Sequence, residues 1–233
     1  MTDVQIEATD GGTFSAYLAE PKGTGKAPGM LVIQEIFGIN GNVRAICDDY
    51  ASKGYVALAP DLFWRQQPGV QLDSNTREGW SEAMKLFQGF SETKGIEDLT
   101  VALAWLREHP RVSGKAGCVG YCLGGKLAYL MSTRSDVDAS VGYYGVAIEG
   151  SLSEAAAITE PLMLHLAGKD SFSSPEALKQ VRDGLAPIAY ATVHVYPGQD
   201  HAFARKGGEH YDAGAAKLAD GRTEQFFADY LKS

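Results

Sequence analysis

Gly120-Tyr121-Cys122-Leu123-Gly124-Gly125 decides how this chain reads. The hexapeptide follows the apolar run 116–119 and leads into residues 124–133, where apolar positions recur every three or four. A strand, a turn of small residues and a helix in direct succession form a nucleophile elbow. The glycines permit a turn so sharp that the apical side chain projects above the sheet. The helix start behind it brings backbone N–H groups and a positive dipole end to the same place. The apical residue is a cysteine. Beside a helix start and a histidine, a thiol reaches its nucleophilic anion far more readily than a serine hydroxyl does. Cys47, on a helical stretch, and Cys118, inside a strand, read instead as buried packing residues.

Working outward, Val4-Gln5-Ile6 and residues 14–18 alternate around Asp10-Gly11-Gly12, which predicts an antiparallel hairpin. After a proline-bounded loop over 21–28, short apolar runs occupy 29–33, 55–59, 116–120, 139–144, 162–167 and 192–196. Such runs are expected of strands buried on both faces of a parallel sheet. Helical spacing marks 43–53, 96–107, 124–133, 175–185 and 213–231, with Ser174 as the cap before Pro175. Residues 63–74 read as the least regular region. The alternation predicts one α/β domain over residues 1–233, with a mostly parallel sheet and helices on both faces. Sites in such folds lie at the carboxyl ends of the strands.

An elbow nucleophile needs an acid and a histidine later in the chain, in that order. Asp170 ends the turn Gly168-Lys169-Asp170 after the run 162–167, and His201 follows the run 192–196. His201 is thus expected to take the Cys122 proton and Asp170 to orient the ring. Asp200 is a rival acid, but adjacency to His201 points it elsewhere. His109, His165, His194 and His210 read as surface or packing residues. An oxyanion hole is expected from the Leu123 N–H and from the Ile36 N–H in the loop Gln34–Asn40. Glu35, directly after a buried strand, is placed either to affect the thiol's protonation or to serve as a salt-bridged or capping acid.

The rest of the composition excludes whole classes. A net charge of −8, from 21 basic and 29 acidic residues, speaks against nucleic acid and anionic membrane as partners. Three cysteines without paired spacing give neither a disulfide framework nor a zinc site. There is no basic segment followed by an apolar run at the amino terminus, and no apolar stretch near the ~20 residues of a membrane span. The expectation is a cytoplasmic monomer that needs no metal or organic cofactor, since the triad supplies its own nucleophile and base.

Several motifs together carry a family resemblance. Gln34-Glu35-Ile36-Phe37-Gly38, Asp61-Leu62 after 55–60, the cysteine elbow, Gly142-Tyr143-Tyr144-Gly145 and His201-Ala202-Phe203-Ala204-Arg205 resemble dienelactone hydrolase (carboxymethylenebutenolidase) over nearly the whole chain. The resemblance implies the α/β-hydrolase fold and opening of a small carboxylated enol-lactone in bacterial breakdown of chlorinated catechols. It implies an acyl-enzyme on Cys122, a resting pairing of Glu35 with the thiol, and Arg205 on the substrate carboxylate. Phe37, Trp80 and Tyr144 fall at substrate-pocket positions. Trp80 stands where the family carries a second arginine, with Arg77 about one helical turn upstream. Phe63 and Met84 stand where tyrosines are expected. A carboxylesterase or lactonase for another small ester is therefore the second reading. A thiol-sensing protein without catalysis is the third, disfavoured because no triad member is missing.

Overall fold

The computed structural model describes residues 2–232. Eight strands follow the order β1-β2-β4-β3-β5-β6-β7-β8, the mostly parallel α/β arrangement expected from the alternation. The length reading takes the chain as one domain; its contacts gather into two compact units, one ending at Cys118 and the other starting at Val119. Each is described by itself.

In the first unit, β1 (Thr2–Glu7) and β2 (Thr13–Ala19) form the antiparallel hairpin, turning at Gly11 with φ 87°. β2 pairs antiparallel with β4 (Val56–Pro60), and β3 (Ala27–Ile33) runs parallel to β4. β4 is buried along its whole length, as a continuous apolar run requires. Helix α1 (Gly41–Ser52) starts where the Asn40 side chain accepts the N–H groups of Asn42 and Val43. α3 (Glu92–Glu108) buries Ile96, Leu99, Ala102, Leu103 and Leu106, a stripe at three- and four-residue spacing.

α2 (Arg77–Gln88) lies where apolar spacing had assigned no helix. Its start is legible in hindsight, because Thr76 Oγ1 accepts the Gly79 N–H at 3.0 Å. Its stripe is not: Ala83 and Leu86 are buried, but Met84 and Phe87 on the same pattern are exposed.

β5 (Val112–Tyr121) begins four residues before the apolar run that predicted it. In the second unit it leads through Cys122 into α4 (Leu123–Arg134). Leu127, Ala128, Tyr129, Leu130 and Met131 are all fully buried, so α4 has no solvent face over that span. β6 (Ala139–Tyr143), β7 (Leu162–Ala167) and β8 (Ala191–Tyr196) are parallel neighbours. A 3-10 segment (Ile148–Ala157) without a sequence signal precedes β7. α5 (Pro175–Leu185) has the expected Ser174 cap, whose hydroxyl accepts the Ala177 N–H. α6 (Ala213–Leu231) buries Ala216, Ala219, Thr223, Phe226, Phe227 and Leu231.

One expectation fails. β8 is not buried on both faces: only Tyr196 is fully covered, and Val195 is 38% exposed. It is the last strand of the sheet, and an apolar run there is half solvated rather than sandwiched.

Candidate active site

Cys122 stands between β5 and α4 with φ 57° and ψ −114°. That conformation is costly for a residue with a Cβ, by about 1–3 kcal/mol. Surrounding packing holds it there. A Cβ on Gly120 would lie 1.9 Å from the Gly124 carbonyl oxygen, and one on Gly125 would lie 2.4 Å from that of Tyr143. The glycines are required because helix and strand backbones touch. The Cys122 N–H donates to the Tyr143 carbonyl at 3.0 Å, and the Cys122 carbonyl accepts from Gly125 and Lys126. Cys122 is half-buried, while Cys47 and Cys118 are fully buried, as their positions predict.

Asp170 and His201 come from the loops after β7 and β8. The Gly168 N–H donates to the Tyr196 carbonyl and the Lys169 N–H to that of Gln199, both at 2.8 Å, which binds the two loops together. A Cβ on Gly168 would lie 2.5 Å from Pro197 Cα, so this approach also needs glycine. Asp200 completes the tie. Its Oδ1 accepts the Ser171 N–H at 2.8 Å and the His201 N–H at 2.6 Å. Burial would raise the Asp200 pKa, but these backbone donors win and hold it below the usual range. Its carboxylate is thus committed to backbone and does not compete for the His201 ring.

The ring meets Asp170 instead. His201 Nδ1 lies 3.0 Å from Asp170 Oδ2 and 3.1 Å from Oδ1. Asp170 is further fixed by the Phe172 N–H, which donates to Oδ1 at 2.8 Å. This leaves Nε2 for Cys122, to which His201 is also hydrogen-bonded. Burial alone would lower the His201 pKa; the Asp170 and Cys122 bonds outweigh it and push it up to about 10. The imidazole is a strong base held between a carboxylate and a thiol. Two aromatic rings meet it edge-on: Tyr144 at 5.1 Å, itself 1% exposed, and Phe172 at 4.8 Å, itself 51% exposed.

The remaining expected residues divide between the units. Leu123 is the first residue of α4, where a backbone N–H has no partner within the helix. Arg205 is half-buried after the Ala202 turn, with its N–H on the Ala202 carbonyl at 2.9 Å. Glu35, Ile36, Phe37 and Trp80 belong to the first unit. Glu35 and Ile36 are buried at the end of β3, and Gln34 bridges there, donating to the Glu35 carbonyl and accepting from the Leu62 N–H. Gly38, at φ 74°, lets this loop close on Val70, whose carbonyl oxygen would sit 2.0 Å from any Cβ. Phe37 and Trp80 meet edge-to-face at 5.0 Å, and the Trp80 ring N–H is anchored on the Ser74 carbonyl. Arg77 is exposed at the first position of α2.

Sequence reasoning missed Phe172, the aromatic neighbour of His201, and the Tyr143 carbonyl that anchors the elbow. Phe172 carries no motif of its own, and Tyr143 lies in Gly142-Tyr143-Tyr144-Gly145, where nothing singles out its carbonyl. Among the described residues no cluster of His, Cys, Asp or Glu is arranged to hold a metal, and no helix is long and apolar enough to cross a membrane.

A strained apex between strand and helix, with an acid and a histidine after later strands of a mostly parallel sheet, is the arrangement of the α/β-hydrolase fold. The chain belongs to the dienelactone hydrolase family, whose profile matches residues 14–231, and so acts on ester or lactone bonds of small molecules. It is 47% identical to a provisionally named carboxymethylenebutenolidase of Azospirillum brasilense, over 99% of this chain and 100% of that one. It is 37% identical to carboxymethylenebutenolidase 1 of Cupriavidus pinatubonensis, over 97% and 95%. Among solved structures, a provisionally named dienelactone hydrolase of Klebsiella pneumoniae superposes with a TM-score of 0.84 at 26% identity, covering 98% of this chain and 99% of that one.

Proposed function

We propose that this chain hydrolyses a small lactone through a thioester on Cys122, with His201 as base and acid and Asp170 orienting it. The observation that carries the reading is the hydrogen-bonded line from Asp170 through His201 to Cys122, with Cys122 held at φ 57°. His201 takes the thiol proton, and the sulfur bonds to the carbonyl carbon while the π electrons move to oxygen. The Leu123 N–H donates to that oxyanion. Its collapse breaks the bond to the ring oxygen, which leaves as an enolate and recovers the proton from His201. The freed ring then takes a proton from water, the hydroxide attacks the thioester, and the sulfur leaves and is reprotonated.

The substrate proposed is a cyclic enol-lactone bearing a carboxylate, dienelactone opening to maleylacetate, with Arg205 on the carboxylate. The relatives' names and the family resemblance support it. Ile36 is given its part by its place in the loop after β3, and Glu35 its resting pairing with the thiol by the family resemblance. A second reading, a lactonase or carboxylesterase for another small ester, is favoured by Trp80, which packs on Phe37 where the family has an arginine.

The test compares a carboxylated dienelactone with p-nitrophenyl acetate, using wild type and Cys122→Ala. Fast dienelactone opening that disappears in the variant supports the reading. Cys122-dependent cleavage of the aryl ester alone moves the substrate to the second reading, and activity that survives Cys122→Ala removes the nucleophile.

A further inference from the structure

The second unit also contains a chain of polar side chains, buried at its centre and half-buried at its two ends, that the reaction does not use. Thr223 Oγ1, on α6, lies 2.7 Å from the Tyr143 hydroxyl and 2.9 Å from His165 Nε2. The Tyr143 hydroxyl also meets Asp220 Oδ1 at 3.0 Å. On the other side, His165 Nδ1 meets the Tyr196 hydroxyl at 2.9 Å, and Arg222 Nη1 donates to that hydroxyl at 3.1 Å.

With His165 neutral, only one ordering of protons satisfies all of these contacts. Arg222 can only donate, and the Asp220 carboxylate can only accept. Tyr143 therefore gives its proton to Asp220 and accepts from Thr223. Thr223, having spent its proton on Tyr143, accepts from His165 Nε2–H. His165 Nδ1 then has no proton and accepts from Tyr196, whose oxygen accepts from Arg222. His165 is neutral because burial, with the nearby His194 and Arg222 charges, lowers its pKa to about 3. The chain runs unbroken from a cation to an anion, so each bond polarises the next.

The two strand residues held by Thr223 also perform backbone work for the triad. The Tyr143 carbonyl accepts the Cys122 N–H at 3.0 Å, and the His165 carbonyl accepts the Tyr144 N–H at 2.7 Å. Tyr144 stands at φ 38° with its ring on His201. Thr223 thus joins, through side chains, the two residues whose carbonyls seat the nucleophile and the neighbour of the base. We propose that Thr223 is a positioning residue: by bridging Tyr143 and His165 it ties the end of β6 to the interior of β7 and so sets the alignment of Cys122 with His201. The inference rests on the Cys122–His201–Asp170 reading.

Thr223→Val keeps the shape and removes both bonds; Thr223→Ser restores the hydroxyl. Expected for Thr223→Val is a fall of about tenfold in kcat for p-nitrophenyl acetate with KM little changed, the signature of misalignment rather than lost binding. Cys122 alkylation by iodoacetamide should half-saturate at a higher pH, and Thr223→Ser should recover both values. Tyr143→Phe, which removes one hydroxyl only, repeats the test should the valine variant fail to fold. A variant that melts earlier yet keeps wild-type kcat and alkylation profile overturns the proposal and leaves Thr223 purely structural. Activity retained in Cys122→Ala sinks the mechanism instead, while the alkylation profile still decides the role of Thr223.

Discussion

Two buried histidines in the second unit, His201 and His165, differ in everything that burial does not set. They are 4% and 0% exposed. His201 lies between a carboxylate and a thiol, and its pKa is pushed up to about 10 against the pull of burial. His165 lies between two hydroxyls, Tyr196 and Thr223, and burial lowers it to about 3. Each ring nitrogen is satisfied in both cases. The partner, not the depth, decides whether an imidazole is a base or a brace. A group with an anionic neighbour gains a proton it can give and take; one between neutral hydroxyls keeps a fixed tautomer.

The sharpest way to break this comparison is to remove each ring. His201→Ala should lower kcat/KM on an ester by about 10⁴-fold, because the proposed base is then gone. Equal losses of activity for His201→Ala and His165→Leu would erase the distinction. His165→Leu should cost about 2–4 kcal/mol of stability in urea unfolding, since it removes one hydrogen-bond partner from each of the buried Tyr196 and Thr223 hydroxyls. The activity of its folded fraction should fall far less than in His201→Ala.

The pH dependence of stability sharpens the contrast by sign. His165 has a folded pKa of about 3 against a reference of 6.5, so between those values the unfolded chain binds more protons. Stability should therefore fall as pH drops below 6.5, by at most about 1.4 kcal/mol per pH unit from this group. His201 is raised, so its contribution is fully present below 6.5 and is lost as pH rises through about 10. Urea midpoints across the range should show both limbs. His165→Leu should flatten the acid one and His201→Ala the alkaline one; an unchanged acid limb in His165→Leu would contradict the assignment. The smallest effect is expected from Asp200→Asn, which keeps the Oδ1 acceptor but loses its charge. Calorimetry should register a loss of about 1 kcal/mol, with the His201 pH profile unmoved.

Local signals in the sequence carried far. The elbow was legible because its glycines respond to nearby backbone, as at Gly120 against Gly124. Asp170 and His201 were legible because each closes a strand at a predictable end. The Thr223 bridge was not, because Thr223 is 80 positions from Tyr143 and 58 from His165, and no local spacing records such a meeting. α2 was hidden because half of its apolar stripe faces solvent, and β8 was overread because an apolar run on an edge strand resembles one in the interior.

The elbow constrains a backbone and not the atom it carries. What the glycines at 120 and 125 enforce is the path of the main chain around Cys122, and a serine at that position would meet the same φ and the same neighbours. A single nucleotide change could exchange sulfur for oxygen without asking the scaffold to refold. Thiol and hydroxyl enzymes built on such a turn are then one mutational step apart. Selection between them acts on reactivity alone, and a lineage can cross from one to the other while every strand and helix stays where it was.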